Sequence, residues 1–272
     1  MDTTGIGGSG RIHCASSRRI ALLIQYDGSA FNGWQYQDNG RSIQGEIEQA
    51  IAILTKETVR ITASGRTDSG VHALGQVAHF DTNSDIPLDR FCIGLNGIMG
   101  YELSILNAYE VDTTFHARFS ARKREYIYKI YNNPQRSPFM RYRAMWLNYH
   151  LDENYLADTL RYIEGEHDFA SFCKKKSRLE NTVRTIFKTN VTRNDNYIQI
   201  SITGNAFLHN MIRIIIGTCI DMYKNGKEPA FIKEIMEMKD RDCSGVTAPP
   251  YGLYLNEIKY DPVLSSFPHA FG

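Results

Sequence analysis

The sequence predicts an α+β protein of two similar subdomains, each with mainly antiparallel sheet and helices packed on one face, forming a central cleft. Three observations predict it. Period-two and helical stretches succeed one another without strict βαβ alternation, which favours antiparallel pairing. The pattern before Asp112 is echoed after Ala121, although the two halves share little identity. The 272 residues, 42% hydrophobic and 22% charged, suffice for one large core or two smaller ones. The organisation expected is a flexible tail at 1–17, a first subdomain at 18–113 and a second at 114–272. A junction between such halves is a usual position for a binding site.

Each element has a local reason. Ile20, Leu22, Ile24 and Tyr26 alternate on one face of a strand, which Asp27-Gly28-Ser29 ends with turn chemistry. Ser42 is a helix N-cap, followed by Ile43, Ile47, Ala50, Ile51 and Leu54 at helical spacing. Strands follow at Val59–Ala63 and Gly75–Asp81, then a helix over Leu88–Ile98 and a strand at Ser104–Val111. In the second half Arg124–Tyr131 is a strand. Asp152 caps a helix with Leu156, Leu160 and Ile163 inward. Thr185–Thr192 and Tyr197–Thr203 form a hairpin across Asn194-Asp195-Asn196. Ala206–Lys224 is the strongest helical pattern, Pro229 starts another through Lys239, and Tyr251–Tyr260 is the last strand.

Residues 1–17 are rich in Gly, Ser and Thr without periodicity, as in a flexible tail. The Gly5–Gly10 run follows no strand, so it is not a phosphate loop. Five cysteines, widely spaced and without a CxxC pair, argue against a disulfide framework or zinc site and fit a reducing compartment; the expected location is cytoplasmic. No apolar run is long enough to span a membrane. No metal-ligand spacing, nucleophile elbow or dinucleotide fingerprint occurs, so neither metal nor cofactor is expected.

The net charge of +1 names no partner, but its distribution does. Thr114–Arg143 holds eight Lys or Arg against Glu125 alone, and Lys174–Arg193 holds seven against Glu180. Such stripes, interleaved with Tyr126, Tyr128, Tyr131, Tyr142 and Phe187, suit a polyanion whose bases can stack. A single cluster of this kind is more often a solvated face; two together raise the nucleic-acid reading above it.

Gly65-Arg66-Thr67-Asp68-Ser69-Gly70 sets a cation and a carboxylate two residues apart in a glycine-punctuated loop beside a strand. Alone it reads as a turn with an ion pair of little energetic weight. Beside a polyanion-binding surface, Asp68 becomes the leading catalytic candidate, as nucleophile or base, with Arg66 to keep it ionised and Thr67 and Ser69 to orient it. His72 is a weaker acid–base candidate. His79 is read as a satisfied side chain on the strand. Tyr126 and Tyr128 share a strand face directly after Arg122-Lys123-Arg124, either as core packing or as a surface for a base. His209 and Arg213 are four apart on the strongest helix, solvated or touching phosphate. Leu253 and Leu255 are core by default.

These motifs resemble one family. GRTDSGVHALGQVAHF (65–80) is similar to the signature of the TruA family of tRNA pseudouridine synthases. YDGSAFNGWQ (26–35), SIQGEIEQAI (42–51), FHARFSARKREYIYKIYN (115–132), NAFLHNMIR (205–213) and GLYLNEIKY (252–260) resemble further family segments in the same order, from Ile20 to Tyr260. The resemblance implies the pseudouridine synthase fold. It implies isomerisation of uridine to pseudouridine at positions 38, 39 and 40 of the tRNA anticodon stem-loop, without metal or cofactor, by a homodimer. It also implies that Asp68 is the catalytic aspartate and that Arg66 pairs with it and holds the target nucleotide out of the stack. Tyr126 would be the active-site tyrosine, and Leu253 would pack beneath the uracil. Arg122, Lys123, Arg124, His209 and Arg213 are then the expected RNA contacts. Ser69, Phe31, Asn32 and Asn210 depart from the family pattern; Asn210 stands where a second His is usual.

The sequence leaves open whether Asp68 attacks sugar or uracil or takes a sugar proton, and whether Tyr126 stacks on the base or removes its C5 proton. A catalytically silent RNA-binding module and a metal-independent nuclease or glycosidase are the alternatives. The first needs no aimed carboxylate, and the second lacks an evident second one.

Overall fold

A computed structural model describes residues 17–174 and 181–260. Outside the described residues lie 1–16 of the tail expected at 1–17, with its Gly5–Gly10 run, part of the second basic stripe at 175–180, and residues 261–272. The strands are β1 (Arg18–Tyr26), β2 (Thr62–Ala63), β3 (His72–Thr82), β4 (Leu103–Val111), β5 (Ala121–Asn132), β6 (Met145–Leu147), β7 (Gly165–Asp168), β8 (Val183–Asn194), β9 (Tyr197–Gly204) and β10 (Leu253–Tyr260). The helices are α1 (Ile43–Thr55), α2 (Leu88–Ile98), α3 (Glu153–Arg161), α4 (Met211–Lys224) and α5 (Phe231–Met238).

The ten strands among the described residues join one mostly antiparallel sheet, whose main path runs β4-β1-β3-β10-β5-β9-β8-β7. Strand β2 pairs with β3 and β6 with β5. The two halves are therefore fused through the last strand. β10 runs parallel to β3, with Tyr254 opposite His72, and antiparallel to β5, with Leu253 opposite Tyr128 and Leu255 opposite Tyr126. Residues far apart in sequence thereby share a sheet face at the middle of the molecule.

Helix α1 starts where Ser42 is extended and its hydroxyl accepts from the Gly45 N–H, satisfying an orphan donor. Ile47 and Ile51 of α1 and Phe91 and Leu95 of α2 are buried with Ile20, Leu22 and Ile24 of β1. Helix α2 packs on β4, and α3 packs on β8 through a face that buries Leu156 and Leu160. Each such side chain contributes about 1.5–3 kcal/mol relative to exposure. The hairpin of β8 and β9 turns at Asp195, whose φ of 51° suits the Asn/Asp-rich turn.

The expected helix over Ala206–Lys224 begins five residues later, at Met211. Asn210 is left-handed at φ 62°, which no right-handed helix accommodates. Residues 205–210 form an irregular entry segment instead, anchored where the Asn205 side-chain oxygen accepts from the Thr185 and Ala206 N–H groups. The strand expected over Val59–Ala63 shrinks to Thr62–Ala63. Strand β10 begins at Leu253, because Pro250–Gly252 form a single 3-10 turn. Strands β6 and β7, three and four residues long, are too short for alternation to reveal.

Candidate active site

The Asp68 loop is built from its backbone outward. Ser64 N–H donates to Val77 O (2.8 Å) and its hydroxyl to Gln76 Oε1 (2.6 Å), while Gln76 Nε2 donates to Gly65 O (2.8 Å). At the far end Val71 N–H donates to Asp68 O (3.1 Å), closing a turn in which Gly70 has a φ of +78°. The segment after β1 braces the middle. Trp34 N–H donates to Thr67 O (3.1 Å), and the buried Thr67 and Tyr26 hydroxyls share a hydrogen bond of 2.8 Å. Gly33 permits this approach. Its φ is +89°, and a Cβ there would lie 2.8 Å from Thr67 O. Thr67 and Ser69 thus fasten the loop to Tyr26 and to Phe31 O, rather than orienting the carboxylate.

The Asp68 side chain projects from this loop, partly exposed, toward the start of α4. Arg213 Nη1 donates to its Oδ2 at 3.1 Å, and His209 Nε2 lies 3.1 Å from its Oδ1. Arg213 is itself fixed: its Nε donates to Ala248 O (2.8 Å), its Nη1 to Asn210 Oδ1 (2.7 Å), and its carbonyl accepts from Ala248 N–H (3.0 Å). The His209 side chain is 40% exposed against 14% for Arg213, so it is the looser partner. These two residues, read from sequence as RNA contacts, meet the Asp68 carboxylate. Asn210, in its left-handed conformation, supports Arg213. No sequence pattern links Asp68 to a helix so far downstream.

The expected Arg66–Asp68 pair does not form. Arg66 is exposed, and among the described residues no ion pair joins it to Asp68. The carboxylate pairs with Arg213 and His209 instead, which spacing along the chain does not indicate.

Tyr126 of β5 is buried between Leu255 of β10 and Ile202 of β9, edge-on to Phe207 at 5.2 Å. Burial pushes its phenol up to about 12; the Arg124 guanidinium opposes that shift and the Asp68 charge adds to it. The hydroxyl is therefore neutral near pH 7, and its field is coupled to Asp68. Leu253 is buried two register pairs along, opposite Tyr128, whose hydroxyl donates to Pro249 O (2.9 Å).

His72 is buried in the sheet. Its Nδ1 accepts from Gly28 N–H (3.1 Å), its ring stacks on Tyr254 at 4.5 Å, and burial lowers its basicity. His79 accepts from Ala117 N–H at 3.2 Å, as a satisfied strand side chain. Of the basic run on β5, Arg122 and Lys123 are exposed, the latter with its ammonium 5.1 Å from the Phe187 ring centroid. Arg124 turns inward onto backbone carbonyls. Among the described residues no group of three or more His, Cys, Asp or Glu is placed to hold a metal ion, and no helix is long and apolar enough to cross a membrane.

The arrangement is a partly exposed carboxylate held at both oxygens by Arg213 and His209, with the buried Tyr126 phenol within reach of its charge. Comparison with known proteins places this arrangement in context. A family model described as tRNA pseudouridine synthase matches residues 22–120 and 160–261. A protein of Caldicellulosiruptor bescii named tRNA pseudouridine synthase A is 44% identical over 243 residues, covering 89% of this chain and 100% of the relative. Proteins of the same name from an Exiguobacterium species and from Bacillus subtilis are each 42% identical; they cover 90% and 89% of this chain and 99% of their own lengths.

Proposed function

The chain belongs to the tRNA pseudouridine synthase family, and we propose that it isomerises uridine to pseudouridine at positions 38, 39 and 40 of the tRNA anticodon stem-loop, with Asp68 as the catalytic carboxylate. The single observation that carries the assignment of Asp68 is its position. It is the carboxylate whose two oxygens are held by Arg213 and His209, at the end of a loop braced from both sides. An aimed carboxylate facing a polyanion has no use in a pure binding module, which favours the enzyme reading.

The reaction breaks the bond from N1 to C1′, turns the freed uracil and joins C5 to C1′; the C5 proton leaves and N1 gains one. The base must first leave the stack at a cost of a few kcal/mol. Arg122 and Lys123, exposed on β5, oppose that cost by meeting phosphates. Arg66, exposed beside Asp68, fills the space the base vacates. The extruded uracil lies over Leu253 with Tyr126 at its edge. Because the Tyr126 phenol is neutral near pH 7, it packs against the base and offers a hydroxyl; it takes the C5 proton only after losing its own. Asp68, with each oxygen keeping a lone pair beyond its Arg213 or His209 contact, engages the nucleotide.

The same reading includes a homodimer that spans one tRNA, a cytoplasmic location, and a division of the chain at 113/114. Release of tritium from tRNA carrying 5-tritiated uridine tests the activity. Strand scission or free uracil would indicate the nuclease or glycosidase alternative, and tight binding without release would indicate a silent binder.

A further inference from the structure

We infer that Arg124 is a positioning residue, a guanidinium clamp that ties the Asp68 loop and the segment entering α4 to the turn before β5, rather than a phosphate contact. The inference rests on the proposed pseudouridine synthase activity of this site. Strand β5 alternates Arg122, Lys123 and Arg124, and the last lies opposite Gly204 on β9 and Ile258 on β10. Its side chain donates to three backbone carbonyls. Nη1 reaches Asn205 O at 2.6 Å, and Nη2 reaches Arg118 O at 2.7 Å and Ser64 O at 3.2 Å.

Two of these carbonyls belong to segments of the site, and the third to the turn that leads into β5. Ser64 opens the loop that ends in Asp68. Asn205 opens the irregular segment that carries His209 and Asn210 and leads to Arg213. Arg118 belongs to the turn before β5, whose Ala117 N–H donates to His79 and whose Ala117 carbonyl accepts from the Tyr260 hydroxyl (2.8 Å). The planar fork of a guanidinium satisfies several acceptors in fixed directions, whereas a lysine ammonium is a point donor on a flexible stem. Both ends of the Asp68–Arg213 contact, the loop and the entry segment, thus depend on one side chain of the strand that also carries Tyr126. Three N–H groups of this guanidinium are committed to backbone carbonyls and not to solvent.

The test compares Arg124→Gln and Arg124→Lys with the wild type in three readouts. Steady-state tritium release should show kcat down about 100-fold, the scale of a misplacement on the order of 1 Å, with KM for tRNA within about threefold and the salt dependence of binding unchanged. For Arg124→Ala, added methylguanidinium should restore part of the lost kcat. Amide hydrogen exchange of the tRNA-free protein should quicken at 64–71 and 205–210 in Arg124→Gln, while the rest of the sheet stays protected. This readout is independent of turnover, so a wild type that releases no tritium would sink the activity and leave the clamp standing. A KM raised tenfold or more with kcat preserved, and a salt slope reduced by about one, would instead make Arg124 a phosphate ligand and overturn the inference. Unchanged exchange at both segments would overturn it as well.

Discussion

Arg213 and Asp68 lie 145 residues apart in sequence and meet through a 3.1 Å contact from Nη1 to Oδ2. The guanidinium is held by Ala248 O and Asn210 Oδ1 before it reaches the carboxylate, so it behaves as part of the scaffold. Arg213→Lys keeps the charge but not the simultaneous bonds. Hydrogen bonds to charged groups are each worth about 1.5–3 kcal/mol. Single-turnover rates should therefore fall by about 10- to 100-fold. His209→Gln, at the more exposed contact, should cost less than about fivefold, as expected for a solvent-screened pair.

Arg66 makes no ion pair with Asp68, and its side chain is exposed. Arg66→Ala should leave the thermal midpoint nearly unchanged, since exposed substitutions usually stay within about 0.5 kcal/mol. Turnover should nonetheless drop if Arg66 holds the vacated space in the stack. Loss of stability together with activity would show that Arg66 supports the loop instead.

Gly33→Ala tests the brace under Thr67. A left-handed φ costs a side-chain-bearing residue about 1–2 kcal/mol, and the added Cβ would crowd Thr67 O. Denaturant unfolding should report that loss. Turnover should fall further than stability accounts for, because the displaced atom lies next to Asp68 in the chain.

The pH dependence of stability has opposite signs at its two ends. Burial raises the phenols of Tyr26, Tyr126, Tyr128, Tyr254 and Tyr260, with Tyr126 and Tyr254 reaching about 12. Between about pH 10, where unfolded tyrosine ionises, and 12 the native state holds more protons, so stability falls as pH rises. His79 is pushed down to about 4, chiefly by burial and next by Arg19. Between about pH 6.5 and 4 the unfolded state takes up the proton first, so stability falls as pH falls. Urea midpoints across pH should show both limbs, and His79→Gln should flatten the acid one.

Much of the fold is legible in local pattern. Ser42 and the apolar spacing after it define α1, and the helix over Leu88–Ile98 appears with those bounds. What local pattern does not carry is the long-range pairing. Nothing near Leu253 says that β10 will enter between β3 and β5, since neighbour choice in a sheet is settled by contacts distant in the chain. The start of α4 departs from the periodicity because Asn210 is left-handed, its side-chain oxygen accepting from Arg213 three residues on. At the site, loop, carboxylate and tyrosine were legible as residue types in motifs. The partners of Asp68 were not, because ion pairing follows side-chain direction in space rather than spacing along the chain. Arg124, expected as an RNA contact, turns onto the backbone carbonyls of Asn205, Ser64 and Arg118, which its place in the basic run does not indicate.

The central claim is that Asp68 performs the isomerisation. Its most direct test is tritium release from anticodon stem-loop RNA labelled at C5 of the uridines, with wild type compared to Asp68→Asn and Asp68→Ala, each checked for retained tRNA binding and folding. The wild type should release tritium and form pseudouridine, while both variants bind without measurable release. Turnover by folded Asp68→Ala at the wild-type rate would contradict the account.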